Sequence, residues 1–155
     1  MSIRFKKADL NNDEDCRNII EMTDHYAQDP MGGGQPLPDE VRKNLIRELK
    51  EMEGEQVYLG RDESGKTVAI ANCFISFSTF LAGKTLYVHD LAVHEEYRSR
   101  GIGQQMLDFI EDQARKLGCK AITLEVLENN PARKLYERNG FKIKKPFYLF
   151  ARKTL

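Results

Sequence analysis

One stretch narrows the possible folds more than any other. Residues 85–93 form an apolar, strand-like run. Arg98-Ser99-Arg100-Gly101-Ile102-Gly103-Gln104 follows as a glycine-bearing turn. Residues 101–117 then carry Ile102, Met106, Leu107, Ile110, Ala114 and Leu117 at the spacing of one helical stripe, and Gly118 supplies the stop. Residues 120–127 are again strand-like. A strand, a helix and a second strand in this order specify a parallel pair with a right-handed crossover.

The remaining elements surround that unit. Residues 2–7 read as a short first strand. Residues 13–27 read as a helix with Cys16, Ile19, Ile20 and Tyr26 facing inward, and residues 28–37 as a Pro/Gly loop. A second helix runs over residues 38–53 with Val41, Leu45, Ile46 and Leu49 as its apolar positions. Residues 56–61 and 67–78 flank a polar turn and predict an antiparallel hairpin. Asn130-Pro131 opens a last short helix, which Gly140 stops. Residues 141–145 and 147–152 read as closing strands. The expected architecture is α/β: a mixed sheet of about six or seven strands, flanked by about four helices, in one domain spanning residues 1–155.

Composition excludes several functions. The 155 residues carry 24 Lys plus Arg against 24 Asp plus Glu, so the chain has no net charge. A general nucleic-acid binder needs a basic excess, so none is expected as a partner. Three scattered cysteines, Cys16, Cys73 and Cys119, form no CxxC pair and point to a reducing, cytoplasmic setting. No apolar run approaches the ~20 residues that cross a bilayer. His25, His89 and His94 lack a metal-ligand spacing, so no metal is expected.

The glycine turn carries the chemistry. Two glycines let the backbone approach a ligand closely. The first amides of the helix lack internal partners and, with the helix dipole, favour an anion. Arg98 and Arg100 add positive charge there. A P-loop would need GxxxxGK[ST], which is absent, and a dinucleotide fingerprint would need glycine where Met106 stands.

What remains is R-x-x-G-x-G, matched by Arg98, Gly101 and Gly103. With Tyr87-Val88-His89-Asp90-Leu91-Ala92-Val93 before it and Asn129-Asn130-Pro131-Ala132-Arg133-Lys134-Leu135-Tyr136 after it, the chain resembles the GNAT family of acyl-CoA-dependent N-acetyltransferases. The resemblance covers nearly the whole chain, and residues 77–90 look like the diamine and thialysine acetyltransferase branch.

The resemblance implies acetyl-CoA as the acyl donor. The backbone of Leu91, Ala92 and Val93 would hold the pantetheine arm. Arg98, Ser99, Arg100, Gly101, Ile102, Gly103 and Gln104 would cradle the pyrophosphate. Asn130 and Arg133 match the second cofactor motif, although Asn130 also reads as a plain helix cap. Tyr136 matches the family's acid. A phenol can protonate a leaving thiolate at modest cost, their ordinary pKa values being about 10 and about 8.5.

An attacking amine must also lose a proton, which calls for a base. His89 is the leading candidate. By strict alternation Tyr87, His89, Leu91 and Val93 share a face, His94 lies beyond the bulge that the family carries in this strand, and Asp90 points the other way unless that bulge changes the alternation. Glu125 is a second candidate, through water. Asp24, Tyr26, Asp29, Phe80 and Asp90 are the candidate acceptor contacts, the acids and rings suiting a cationic amine. The expected reaction is acetyl transfer to a primary amine of a small molecule. A protein lysine or N-terminus, and a non-catalytic acyl-CoA-binding module, are the alternatives. Homodimers are common in the family, which makes a homodimer an expectation by analogy.

Overall fold

A computed structural model describes residues 1–155. Two units separate along the chain, residues 1–125 and residues 126–155. The first holds the sheet, built from β1 (Arg4–Lys7), β2 (Glu55–Arg61), β3 (Thr67–Ser78), β4 (Gly83–Val93) and β5 (Ala121–Leu124), in spatial order 1-2-3-4-5. The first four strands are antiparallel neighbours. β4 and β5 are parallel, as the strand–helix–strand reading requires.

Helices α1 (Asp13–Gln28) and α2 (Asp39–Glu51) cover one face of the sheet, and α3 (Ile102–Lys116) covers the other. On the first face Ile19, Met22 and Leu49 pack with Leu59, Ile70 and Ala92. On the second, Tyr58 meets the α3 residue Phe109 edge-on, with ring centroids 5.3 Å apart. Ile102, Met106 and Ile110 are fully buried, so the stripe read from sequence is the buried one.

α1 buries two residues outside the inner set read from sequence, Met22 and Asp15, while Cys16, Ile20 and Tyr26 are only partly buried. Asp15, an acid, is 1% exposed. Its carboxylate meets Arg61 at 2.6 Å and Lys6 at 2.9 Å, and accepts from the Asp9 backbone N–H at 2.8 Å. It thereby ties α1 to β1 and β2.

The second unit contains α4 (Ala132–Arg138) and no strand. Pro131, and not Asn130, takes the cap position of this helix; Asn130 stands one residue earlier, its side chain accepting from the Ala132 N–H at 2.9 Å. Regular helix begins one residue beyond Pro131. The two closing strands expected over residues 141–145 and 147–152 do not form, and the sheet has five strands. Alternation alone overstated this segment. Pro146 has no N–H to give a ladder, and Tyr148 and Leu149 lie exposed instead of packing on a sheet face.

Candidate active site

The site begins with an irregularity in β4. Asn72 of β3 is paired with Asp90, but the next residue, Cys73, is paired with Val88. His89 is therefore an extra residue, a β-bulge. The bulge sits at His89, within the strand, and overturns the strict alternation that had Asp90 facing away from Tyr87. Asp90 and Ala92 now share the α1/α2 face with Tyr87. Leu91 and Val93 lie opposite Ala71 and Ala69 on the α3 face.

The bulge brings two consecutive side chains together. His89 Nδ1 lies 3.0 Å from Asp90 Oδ1, a contact that a regular strand would forbid because neighbours point to opposite faces. The His89 imidazole is 51% exposed and stands edge-on to the rings of Phe74 and Tyr87. Asp90 is further held by Asn72, whose amide donates to Asp90 Oδ2 at 2.9 Å and to Thr23 Oγ1 of α1 at 3.1 Å. Asn72 is 6% exposed, and its Oδ1 has no hydrogen-bond partner. A buried acceptor left so costs about 1–3 kcal/mol.

α1 delivers the next residues to this face. Burial, then the charges of Asp90 and Asp29, push the Tyr26 phenol up from its ordinary pKa. Its hydroxyl donates to the Met31 carbonyl at 3.4 Å. Asp29 caps the short 3-10 turn Pro30–Gly32 through the Met31 N–H at 2.9 Å and pairs with Arg98 at 2.9 Å. That N–H bond and the guanidinium outweigh burial and hold its carboxyl below the ordinary value. Asp24 is engaged structurally: it accepts from the Leu37 N–H at 2.7 Å and pairs with Arg42 at 2.6 Å, closing the loop between α1 and α2.

The other two acceptor candidates stand differently. Glu125 follows β5 beside Tyr87, whose phenol is pushed up by burial and then by the Glu125 and Asp90 charges. Phe80 is fully exposed, at 100%, in the turn between β3 and β4. The structure thus gathers Tyr26, Asp29, His89 and Asp90 around one end of α1 and leaves Phe80 outside that group.

The glycine turn follows β4. β4 and β5 pair from Thr85 with Ala121 to Val88 with Leu124 and no further, while β4 continues to Val93. Leu91, Ala92 and Val93 therefore pair with β3 on one side and with no strand on the other. Gly101 stands before α3 at φ 76°, where a side chain would be strained although nothing would obstruct it. Ser99 is also left-handed, at φ 60°.

The side chains of the turn are anchored nearby. Arg98 donates through Nε to the Val93 carbonyl at 3.1 Å and through a terminal nitrogen to Asp29. The Arg100 guanidinium lies 5.4 Å from the Tyr97 ring centroid. Ile102 is buried, and Gln104 donates to Asp108 at 2.8 Å. The amides of Gly103 and Gln104 belong to the open first turn of α3.

In the second unit, Tyr136 is 7% exposed and packs edge-on to Phe141. Arg133 pairs with Glu137 at 3.2 Å, and its guanidinium lies 5.7 Å from the Phe147 ring centroid. Asn72 and Asp15 were missed from sequence. A polar residue inside the apolar run Val68-Ala69-Ile70-Ala71-Asn72-Cys73, at the parity of the core-facing Ile70, was the available signal for the first.

The strand that outruns its parallel neighbour and the glycine turn behind it agree with an independent finding. A model of the acetyltransferase (GNAT) family matches residues 19–141. The chain belongs to the GNAT family. It is 35% identical over 138 residues to thialysine N-epsilon-acetyltransferase of Bos taurus, covering 81% of this chain and 78% of that protein. It is 26% identical over 136 residues to YycN of Bacillus subtilis, described as an uncharacterized N-acetyltransferase, covering 83% and 87%.

Among solved structures, a possible acetyltransferase from Clostridium difficile 630 superposes with TM-score 0.80 at 18% identity, covering 100% of this chain and 99% of that one. AAC(6')-Iy, solved in complex with the bisubstrate analog CoA-S-monomethyl-acetylneamine, superposes with TM-score 0.77 at 13% identity, each chain covered fully. At these identities the superpositions establish the fold.

This GNAT chain is an acyl-CoA-dependent N-acetyltransferase, and GNAT folds use acetyl-CoA. Its residues fit that donor. The β4 edge beyond Val88 offers backbone groups to an extended, amide-bearing arm, and the turn from Arg98 to Gln104 offers the amides that open α3 and the Arg100 guanidinium to a pyrophosphate. No helix of the chain is long and apolar enough to cross a membrane.

Proposed function

We propose that the protein acetylates a primary amine of a small, cationic molecule of the polyamine or amino-acid type. The observation that carries this reading is the His89–Asp90 contact at the bulge, a base beside a carboxylate on the face that α1 covers. The carboxylates of Asp90 and Asp29 and the ring of Tyr26 suit an ammonium group. The name of the bovine relative, which specifies thialysine, supports the same substrate class.

When bound, acetyl-CoA supplies a thioester whose carbonyl carbon is open to attack by an amine and whose sulfur can leave. The backbone of Leu91, Ala92 and Val93 holds the pantetheine arm. The turn from Arg98 through Ser99, Arg100, Gly101, Ile102 and Gly103 to Gln104 holds the pyrophosphate, with Asn130 and Arg133 as further contacts. His89 removes the proton from the attacking amine. Asp90, at Nδ1, favours the tautomer that leaves Nε2 as the acceptor. The Tyr136 hydroxyl is the proton donor for the leaving sulfur. Glu125 contributes negative charge to the acceptor side.

The family match crosses the boundary between the two units, which supports residues 1–155 acting as one acetyltransferase domain. The unpaired cysteines support a cytoplasmic setting. The exposed run Tyr148-Leu149-Phe150 suits a homodimer contact.

The test is mass spectrometry of products after incubation with acetyl-CoA and a panel of polyamines, thialysine, amino acids, aminoglycosides and short peptides. Acetylated polyamine or amino acid is the expected product. Acetylation of peptides alone would replace this reading with a protein acetyltransferase. Tyr136→Phe is expected to slow transfer by about 10²-fold with acetyl-CoA binding intact. Transfer at the wild-type rate would remove Tyr136 from the acid role.

A further inference from the structure

The bulge explains how His89 and Asp90 meet, but not what holds Asp90 in place. That task falls to a buried amide. Asn72 is the register partner of Asp90 on the neighbouring strand, so the two side chains leave the same face of the sheet. The Asn72 amide nitrogen spans two elements, donating to Asp90 Oδ2 at 2.9 Å and to Thr23 Oγ1 of α1 at 3.1 Å.

The orientation of this amide is dictated chemically. An ionised carboxylate only accepts, so the nitrogen must face Asp90 and the oxygen must turn away. The oxygen then has no partner, in a residue that is almost wholly buried. An apolar residue at this position would avoid that cost. Asn72 therefore gives up stability for a directed donor, aimed at the one carboxylate that touches the imidazole.

We propose that Asn72, anchored by Thr23, is a positioning residue for the base: it locks the Asp90 carboxylate so that Asp90 holds His89 with Nδ1 protonated and Nε2 as the nitrogen that takes up the proton. The chain Thr23–Asn72–Asp90–His89 runs from α1 through β3 to the bulge of β4. The other groups around it are Tyr26 from α1, Phe74 from β3 and Tyr87 from β4, with the Asp29 carboxylate acting on Tyr26 and that of Glu125 on Tyr87. Asp90 is the carboxylate in contact with the imidazole, at Nδ1, and so sets its tautomer. The proposal rests on the reading of His89 as the base and deepens it.

The decisive measurement needs no acceptor. Nitrogen-15 NMR of the histidine rings, with His89 assigned by its loss in His89→Gln, reports which ring nitrogen carries the proton. The wild type is expected to show the Nδ1–H tautomer at His89. Asn72→Ala is expected to shift His89 toward the mixture of a solvated imidazole while acetyl-CoA binding by calorimetry is unchanged. Thr23→Val, a nearly isosteric change that spares the buried site, is expected to give a partial shift in the same direction and covers the case in which Asn72→Ala does not fold. With thialysine and acetyl-CoA, kcat should fall about tenfold in Asn72→Ala with little change in KM for acetyl-CoA.

A wild-type tautomer in both variants overturns the positioning role while leaving His89 as the base. Transfer to thialysine at the wild-type rate by His89→Gln overturns the base reading, and with it the catalytic purpose of the tether, whatever the tautomer shows.

Discussion

At the scale of single residues, charge is placed where it costs most to lose. Burial pushes the Asp15 carboxyl up, but the Asp9 N–H, Lys6 and Arg61 together outweigh it and hold the group below its ordinary value. A carboxyl whose folded pKa is depressed stabilises the fold above its unfolded pKa of about 3.9, and that stability is lost as pH falls through the folded value. Thermal melts should therefore show the wild type losing stability below about pH 4 more steeply than Asp15→Asn. At pH 7 the variant should be less stable by about 3 kcal/mol, the low end for a broken buried pair because Lys6 is half exposed.

At the scale of elements, the two features that build the site are backbone irregularities. The bulge at His89 changes which side chains share a face, and the left-handed Gly101 turns the chain from the loop into α3. Nothing would obstruct a Cβ at Gly101, so Gly101→Ala isolates the backbone cost. It should lower stability by about 1–2 kcal/mol in a denaturant titration. It should also weaken acetyl-CoA binding, because relaxing the strain rotates the amides that open α3. A variant that loses stability but binds acetyl-CoA as tightly as the wild type would show that this turn does not shape the pyrophosphate cradle.

At the scale of the whole molecule, Tyr148, Leu149 and Phe150 lie exposed in the strand-free second unit. Contiguous apolar exposure of this kind marks an association surface more often than a free one. Sedimentation velocity should give a dimer for the wild type and a species near 17.9 kDa for Leu149→Glu. A wild type that sediments as the monomer at micromolar concentration would remove the dimer from the functional reading.

Much of this was legible in the residues. The helical stripe of α3, the hairpin of β2 and β3, the parallel pair and the glycine turn are local patterns, because periodicity and turn chemistry act over a few neighbours. The motifs around Arg98 and Asn130 identified the family for the same reason. Three features were decided only in three dimensions. The bulge depends on which residue of β3 pairs with Asp90. The burial of Asp15 depends on Lys6 and Arg61 arriving from β1 and β2, and the role of Asn72 on its meeting α1 and β4 together. The closing strands failed in the opposite direction, since alternation in residues 141–152 promised a ladder that no neighbouring strand completes. Interactions between near neighbours in the chain set the helices, most of the strands and the glycine turn before α3. Tertiary structure decided the register, and with it which charged and polar groups stand beside His89.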